Sequence, residues 1–364
     1  MNIFDINPNI IRAHTLASDF YTDEECFEQS KEKIFARSWQ FLGTSDEVEN
    51  LKPRTILEDF LDEPVLLTKD LENNLHCLSN VCTHRGNILV ENACAENGIR
   101  CRYHGRRFAL DGKFLSMPEF ESVENFPTER DDLPRIPLAV WQNFLFASIN
   151  PSAPFENFIR EMRERLDWFD FGRLKFSAAK DYTIRAHWAL YCENYLEGFH
   201  VPFVHQSLNR AIDYGSYTTE LFPFSSLQTA SSESPALAGG LADAETQPLS
   251  KLHNPFDKNI AAFYFFVFPN LMFNFYPWGL SVNVVKPINP QKTKVSYLTF
   301  VSDESKLNQG AGADLETVEL EDEAIVESVQ KGIRSRFYST GRYSPAREQG
   351  THHFHRLISK FMKN

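Results

Sequence analysis

The segment from residue 82 to residue 104 decides how the first half of this chain folds. It opens with Cys82-Thr83-His84 and closes with Cys101-Arg102-Tyr103-His104, so each end carries one thiol and one imidazole. Sixteen residues separate the two pairs, enough for a hairpin-like segment that brings them together. Two thiols and two imidazoles at such close spacing are typical of a metal site.

Two kinds of metal site accept this ligand set. Zinc would take all four side chains around one ion. A Rieske [2Fe–2S] cluster takes two cysteines on one iron and two histidines on the other. Zinc fingers usually pair Cys with Cys and His with His at close spacing, whereas each half here has one of each, which favours the cluster. Gly86 and Gly105, just after the histidines, would let the backbone close over the sulfurs.

A second constellation lies at residues 194–205. Asn194, Glu197 and His200 recur at intervals of three, so a helix would place them along one face. Pro202 is expected to break that helix and to let His205 turn back towards His200. Two imidazoles and one carboxylate on one face of an iron form the facial triad of non-haem Fe(II) oxygenases, which leaves open positions.

Composition limits the partners of this protein. The chain has 364 residues, 42% of them hydrophobic, and a net charge of −12, which argues against nucleic acid or an anionic membrane as a partner. Six cysteines are too few for a disulfide scaffold and favour a reducing compartment. No apolar run reaches the length of a membrane span, and no signal segment is evident, so the expected location is cytoplasmic.

The distribution of apolar runs, turn signals and prolines along the chain predicts three regions. Residues 1–40 are expected to form a helical segment that packs on the second domain, and residues 41–150 contain short β-like runs broken by turns. Asp111-Gly112 between apolar runs is a hairpin signal. The Pro-rich stretch from Asn150 to Pro154 marks the linker to a second domain, 151–364.

The second domain is expected to be α+β, with antiparallel strands and helices packed against one side. The predicted strands are 180–188, 262–268, 271–276, 280–285 and 294–301, and the predicted helices are 158–169, 317–337 and 352–361. Residues 206–256 are rich in Ser, Ala, Gly and Thr and are expected to form a long loop. That loop is either a lid over a site or a disordered insertion.

The first block resembles Rieske domains, and the whole chain resembles the catalytic subunits of Rieske non-haem iron ring-hydroxylating oxygenases. The stretch from Cys192 to Pro202 is most similar to the choline monooxygenase and quaternary-ammonium branch. The similarity continues in 268–272, 327–332 and 352–355 and so covers nearly the whole chain. It implies a small all-β Rieske domain followed by a catalytic domain with a helix-grip (START/Bet v 1-like) antiparallel sheet.

The resemblance also implies roles for single residues. Cys82, Cys101 and the histidines His84 and His104 would hold the [2Fe–2S] cluster. His200 and His205 would bind the mononuclear Fe(II), and Asn194 and Glu197 would act beside them. Glu197 matches the family's bridging acid, which joins the two iron centres across a subunit boundary within a trimer.

In the family, the third iron ligand is a distant aspartate on a late helix, and Asp322 is the candidate here. It is expected to share an inward helix face with Ile325, Val326, Val329, Ile333 and Phe337, which would leave Glu321 and Glu323 in solvent. An N-terminal helix acid is the alternative reading of Asp322. His352, His353 and His355 form a rival metal cluster, but adjacent histidines on a helix cannot all face one ion.

One departure from the family concerns arginines. The family's usual Cys-Pro-Tyr-His-Gly-Trp is replaced here by Cys101-Arg102-Tyr103-His104-Gly105-Arg106. Arg102, Arg106 and Arg107, with Arg85 and Arg100 near in sequence, could form a positive patch that docks an acidic electron donor. Solvated arginines without a partner are the alternative.

The resemblance implies an oxygenase that hydroxylates or demethylates a small organic substrate with O₂, as a monooxygenase or a dioxygenase. Electrons would come from NAD(P)H through a separate reductase or ferredoxin. A quaternary ammonium compound such as choline, betaine or carnitine is favoured over an aromatic ring. The rival functions are a Rieske electron carrier and a zinc-bearing binding protein. Aromatic side chains that could cage a cation or stack on a flat ring are Tyr195, Phe199, Phe203, Phe263, Phe265, Phe273, Phe275, Tyr276 and Trp278.

Overall fold

The structure is a computed structural model that describes residues 4–231, 260–307, 312 and 315–363. The chain divides into two compact units. One unit joins Met1–Ile34 to Ala153–Asn364, and the other is Phe35–Ser152. The N-terminal part of the first unit contains the helices α1 (Ser18–Thr22) and α2 (Glu24–Ser30).

The unit Phe35–Ser152 is built from antiparallel strands in three small sheets. Sheet one has the order β1-β9-β8, sheet two β2-β3-β4 and sheet three β5-β6-β7. Asp111 and Gly112 lie in the turn between β6 and β7, where Gly112 has a φ of 89° that favours glycine. The strands are β1 (Gln40–Thr44), β2 (Leu51–Ile56), β3 (Glu63–Lys69), β4 (Leu75–Ser79), β5 (Ile99–Arg100), β6 (Arg107–Phe108), β7 (Phe114–Ser116), β8 (Leu138–Trp141) and β9 (Phe144–Ala147).

The larger unit contains a seven-stranded antiparallel sheet of order β10-β16-β15-β14-β13-β12-β11 among its described residues. The fold is therefore α+β with antiparallel sheets, as predicted. The strands are β10 (Lys175–Ile184), β11 (Asp213–Leu221), β12 (Ser225–Ser231), β13 (Ile260–Val267), β14 (Leu271–Tyr276), β15 (Gly279–Asn289) and β16 (Lys292–Val301).

Helices flank the strands of this unit along the chain. They are α3 (Glu156–Arg165), α4 (Trp188–Tyr195), α5 (Val201–Val204), α6 (Gln206–Ala211), α7 (Leu315–Gly332) and α8 (Gln349–Lys363). Among the residues that the structure covers, no helix is long and apolar enough to cross a membrane.

The expectation of a long loop at 206–256 is wrong for its first half. Residues 206–231 form α6, β11 and β12, and β12 pairs with β13 from Ser225↔Val267 to Ser231↔Ile260. The polar composition misled the prediction because one edge of this sheet is built from Ser- and Thr-rich strands that face solvent in part. Residues 232–256 lie outside the described residues.

The single helix predicted through 194, 197 and 200 is also wrong. Helix α4 ends at Tyr195, and the carboxylate of Glu197 accepts the backbone N–H groups of Phe199 and, at 3.1 Å, His200. A side-chain acceptor of this kind competes with the helical hydrogen bonds. Pro202 does not break a helix but lies in the first turn of α5, where its missing N–H costs nothing.

Candidate metal centres and active site

Two loops with the same backbone pattern hold the predicted cluster ligands. In the first, the N–H of Gly86 donates to the carbonyl oxygen of Cys82 at 3.0 Å, and in the second Gly105 donates to Cys101 at 3.0 Å. Gly86 and Gly105 have φ values of 70° and 75°, a region that residues with a Cβ rarely adopt. Each loop therefore closes tightly behind its cysteine, as the sequence analysis expected.

The structure brings the four side chains of these loops together. Cys82 and Cys101 are 3% and 2% exposed, and their thiols are within hydrogen-bonding contact. The rings of His84 and His104 lie 4.8 Å apart between centroids. Burial, above all, raises the pKa of Cys82 and lowers that of His84, so the free thiol and the neutral imidazole are favoured.

These residues fit a Rieske [2Fe–2S] cluster. The Nδ1 atom of His104 is buried and has no hydrogen-bond partner among the described residues. A buried polar atom without a partner is costly, and a metal ion would satisfy it. Metal binding would also release the thiol protons of a buried cysteine pair.

Arg106 does not belong to the expected surface patch. It is 2% exposed, its guanidinium lies 2.7 Å from Asp131, and it faces the rings of Phe108, Phe114 and Phe126 at 4.8–5.6 Å. Its charge is therefore neutralised inside the fold. The arginines that remain exposed are Arg85, Arg100, Arg102 and Arg107, and Arg102 pairs with Glu91.

His200, His205 and Asp322 converge at a second site. The Nε2 atoms of the two histidines lie 3.2 Å apart, and Asp322 Oδ1 lies 2.9 Å from His205 Nε2 and 3.5 Å from His200 Nε2. The ligand atoms of these three side chains all lie within 4.8 Å of one another, close enough to hold one metal ion. Ligand atoms bound at about 2.1 Å and at right angles to one octahedral ion would lie about 3 Å apart.

A carboxylate accepts a hydrogen bond from the Nδ1 atom of each imidazole, on the ring side opposite the Nε2 atoms that face the cluster. His200 Nδ1 donates to Glu197 Oε1 at 2.8 Å, and His205 Nδ1 donates to Glu321 Oε2 at 2.7 Å. A histidine that donates from Nδ1 presents an unprotonated Nε2, which is the arrangement typical of metal-ligating histidines. Two imidazole lone pairs and one carboxylate then face each other at close range, which fits a cation between them.

The contact to Glu321 corrects the expectation that this side chain points to solvent. The same helix carries a second difference, because Ile325 and Val329 are 39% and 44% exposed rather than inward-facing. Helix α7 ends at Gly332, and Phe337 beyond it is 94% exposed. The helix presents its acidic residues, rather than a continuous apolar stripe, to the site.

Asn194 supports the third member of the cluster. Its amide nitrogen donates to Asp322 Oδ1 at 2.5 Å from the last turn of α4. The carboxylates beside the histidines make this site strongly acidic. Burial opposes protonation of His205, but Asp322 and Glu321 together raise its pKa above the usual value.

A cavity of about 110 Å³ opens beside these three residues. Its wall contains tyrosines and amides at alternate positions of the central strands, for example Tyr264 on β13 and Asn274 on β14. Most of the aromatic residues expected in this wall lie elsewhere. Only Tyr195 and Tyr276 of that set line the cavity, whereas Phe199 and Phe203 are exposed and the others are buried: Phe263, Phe265, Phe273, Phe275 and Trp278.

Sequence reasoning missed two acidic residues of α7, Glu319 and Glu321. Glu319 is 5% exposed and lines the cavity. Its spacing from Asp322 was a usable signal, because residues three apart on a helix share a face.

The three histidines of α8 serve separate purposes. His352 Nε2 donates to the carbonyl of Asn7 at 2.8 Å. His355 lies 3.0 Å from Glu193 and contacts Tyr343 at 2.6 Å. His353 forms a hydrogen bond with the backbone of Phe222, and no group of three metal-competent side chains includes any of these histidines within the described residues.

Known proteins resemble this chain over nearly its whole length. The chain is 28% identical to choline monooxygenase of Arabidopsis thaliana, over 99% of this chain and 86% of that protein. It is also 28% identical to the carnitine monooxygenase oxygenase subunit of Escherichia coli strain K12, over 99% and 96%.

Solved structures share the fold. The quaternary ammonium Rieske monooxygenase CntA superposes with a TM-score of 0.78 at 23% identity, over 99% of this chain and 98% of that one. Naphthalene 1,2-dioxygenase superposes with a TM-score of 0.75 at 17% identity, over 100% and 95%.

Two family matches cover most of the chain. Residues 38–127 match the Rieske [2Fe-2S] domain, and residues 171–364, more than half of the chain, match the ring hydroxylating alpha subunit (catalytic domain). This protein therefore belongs to the ring-hydroxylating alpha subunits, the Rieske-type oxygenases that combine a [2Fe–2S] domain with a non-haem iron catalytic domain.

Proposed function

We propose that this chain is the terminal oxygenase of a reductase-dependent system that hydroxylates or demethylates a quaternary ammonium compound. The observation that carries the proposal is the convergence of His200 Nε2, His205 Nε2 and Asp322 Oδ1 within 3.5 Å beside a cavity. Electrons would come from NAD(P)H through a separate reductase or ferredoxin.

The residues have distinct tasks in this proposal. Cys82 and Cys101 hold one iron of the cluster, and His84 and His104 hold the other, in the 41–150 domain. The 151–364 domain holds one ferrous ion with His200, His205 and Asp322. When bound, these groups supply stored electrons and the activation of O₂ for attack on a C–H bond.

Two carboxylates and one amide keep the ferrous ligands in position. Glu197 and Glu321 accept hydrogen bonds from the Nδ1–H groups of His200 and His205, which fixes the tautomer and the ring plane of each. Asn194 donates to Asp322 Oδ1 and restricts its rotation. A ligand set held in this way would keep a ferrous ion at the cavity, where it could supply the activation of O₂ beside the substrate.

Glu197 has a second task in the proposal, as the bridge between the two centres. Its Oε1 accepts from His200, while family resemblance implies a contact to a cluster histidine of a neighbouring subunit. The expected assembly is a homotrimer. Size-exclusion chromatography with light scattering tests this, and a monomer at working concentration would contradict the bridge.

The substrate class rests on the relatives and the cavity. Both curated relatives are named for quaternary ammonium substrates, choline and carnitine. The cavity of about 110 Å³ is smaller than the ~300 Å³ lower range of sites for drug-sized ligands. The tyrosines and carboxylates that line this cavity suit a small organic cation better than a neutral aromatic ring.

A substrate screen tests the proposal. The purified protein, a surrogate reductase and NADH are combined with choline, betaine, carnitine or an aromatic acid, and O₂ uptake is followed together with product formation. Coupled O₂ uptake with at least one quaternary ammonium compound is expected. Turnover of aromatic acids alone would favour an aromatic-ring dioxygenase, and no turnover with any substrate would favour an electron carrier.

A further inference from the structure

Glu319 is a buried carboxylate in the wall of the cavity. It lies on α7, one turn before Asp322, and is 5% exposed. Burial, followed by the nearby Asp322 carboxylate, raises the pKa of Glu319 well above its usual range. A carboxylate in such surroundings is costly to ionise unless a cation accompanies it.

Two tyrosine hydroxyls hold this carboxylate in place. Tyr191 donates to Glu319 Oε1 at 3.1 Å and to Oε2 at 2.9 Å, and Tyr297 donates to Oε2. No lysine, arginine or histidine pairs with Glu319 among the described residues. The carboxyl group is therefore oriented by neutral donors, and a cationic ligand in the cavity would favour its ionised form.

The cavity wall is rich in carboxylates. Its described residues include the carboxylates of Glu197, Glu319 and Asp322 but no lysine or arginine. Glu197 is bound to His200, and Asp322 faces the two histidines. Glu319 is thus the acidic wall residue without a positively charged or metal-ligating partner.

Tyrosines make up much of the remaining wall. Electron-rich rings stabilise organic cations, and burial of the site strengthens that attraction. Tyr264 and Tyr276 lie on neighbouring strands with ring centroids 6.0 Å apart, and Tyr195 lies 6.4 Å from Tyr264. The lining tyrosines are Tyr191, Tyr195, Tyr217, Tyr264, Tyr276 and Tyr297.

We propose that Glu319 is the counter-ion for the ammonium group of the substrate, and that the cavity selects net-cationic quaternary ammonium compounds over zwitterions that carry a carboxylate. This inference rests on the proposed function, since it concerns the same cavity. A zwitterion would bring its carboxylate into a wall that offers carboxylates and phenols but no lysine or arginine among the described residues. Such a carboxylate would be desolvated without a cationic side chain to pair with it.

Calorimetric titration of the anaerobic holoenzyme tests the proposal with three ligands of similar shape. Choline carries a positive charge, glycine betaine is a zwitterion, and 3,3-dimethylbutan-1-ol is the neutral isostere of choline. We expect choline to bind at least about tenfold more tightly than either of the others, which corresponds to about 1.4 kcal/mol. Equal binding of betaine and choline would overturn the inference and leave the proposed function intact, because a quaternary ammonium compound would still bind.

Two variants test whether the charge of Glu319, rather than a general change in helix α7, causes the preference for choline. Glu319→Gln should lose the preference for choline over the neutral isostere, and its cluster spectrum and iron content show that the variant is folded. Glu316→Gln is the matched control, because Glu316 lies on the same helix but is exposed and pairs with Lys180. An unchanged preference in Glu319→Gln would overturn the inference. Failure of every quaternary ammonium compound to bind the wild type, with binding of aromatic acids, would instead overturn the proposed function.

Discussion

At the scale of single residues, Glu197 joins a ligand histidine to the loop that carries it. Its Oε1 accepts from His200, and its Oε2 accepts backbone N–H groups. We predict that Glu197→Ala keeps the cluster spectrum but loses coupled turnover even when added Fe(II) refills a weakened mononuclear site, because the path between the two centres is interrupted. Stopped-flow reoxidation of the cluster and product yield measure this loss.

Glu197→Gln is the matched control for that prediction. A glutamine keeps an acceptor for the loop and removes the charge, so it separates loop support from the bridging role. Full turnover in Glu197→Ala would show that Glu197 is not the bridge.

Glu321 has a positioning role at the same scale. Glu321→Gln should weaken iron retention at the mononuclear site by about 10- to 100-fold, the usual cost of losing a carboxylate behind a ligating histidine. Dialysis against a graded chelator, followed by iron analysis, measures retention. Glu323→Gln is the control because Glu323 is a neighbour on α7 with no contact to His205 among the described interactions. Equal retention in both variants would contradict this role.

Residue spacing predicted the cysteine and histidine ligands because metal chemistry demands particular side chains at short range, whereas Asp322 was expected from the resemblance to the family. Spacing missed Glu319 and Glu321, whose roles depend on which way a helix is rotated. The sequence predicts Ile325 and Val329 on the inward face of α7, whereas both side chains are exposed in the structure. A contact between two distant segments, such as His205 and Glu321, has no signal in one sequence.

At the scale of elements, the alternation of side chains along a strand decides which residues line the cavity and which enter the core. Successive side chains of a strand point to opposite faces. On β13, Tyr264 lines the cavity while Phe263 and Phe265 enter the core. Polar residues at alternate positions in otherwise apolar strands, such as Asn274 and Asn283, were the better indicator of the cavity face.

The packing of α8 on the turn after α4 gives a stability prediction. A Cβ on Gly350 would lie 2.3 Å from the carbonyl oxygen of Leu196, so Gly350→Ala must push the two elements apart. We expect a loss of about 1–3 kcal/mol in the free energy of unfolding, the usual cost of overpacking. Gly332→Ala is the control, since nothing lies within 4 Å of its Cβ. Thermal unfolding of both variants measures the difference, and equal stability would contradict the close packing.

The buried imidazole of His187, at the N-terminal cap of α4, makes the stability of the fold depend on pH. Burial lowers the pKa of His187 to about 3, below the ~6.5 of an unfolded chain, so the unfolded state binds the proton first as pH falls. The stability contribution is therefore complete above about pH 6.5 and is lost as pH falls towards 3.

The expected loss from this group is about 2 kcal/mol between pH 7.5 and pH 5. His187→Asn keeps a capping side chain at this position and removes the titration. Unfolding temperatures of the wild type should therefore fall more steeply over this range than those of the variant. Parallel pH profiles would show that His187 does not titrate as a buried group.

At the scale of the whole molecule, the proposed oxygenase function requires two separate iron centres in one chain. The first depends on four side chains from two similar loops, and the second on three side chains from residues 200–205 and helix α7. Because the two centres share no ligand residue, one metal centre can be removed without the other. A zinc protein or an electron carrier with one cluster would not behave in this way.

Iron and sulfide analysis of the purified protein, with its visible spectrum, tests this requirement most directly. A chain with both centres filled should contain about three irons and two acid-labile sulfides and show a red-brown Rieske spectrum. His205→Ala should lose about one iron and keep the sulfide and the spectrum. A colourless protein that contains zinc without iron or sulfide would contradict the account.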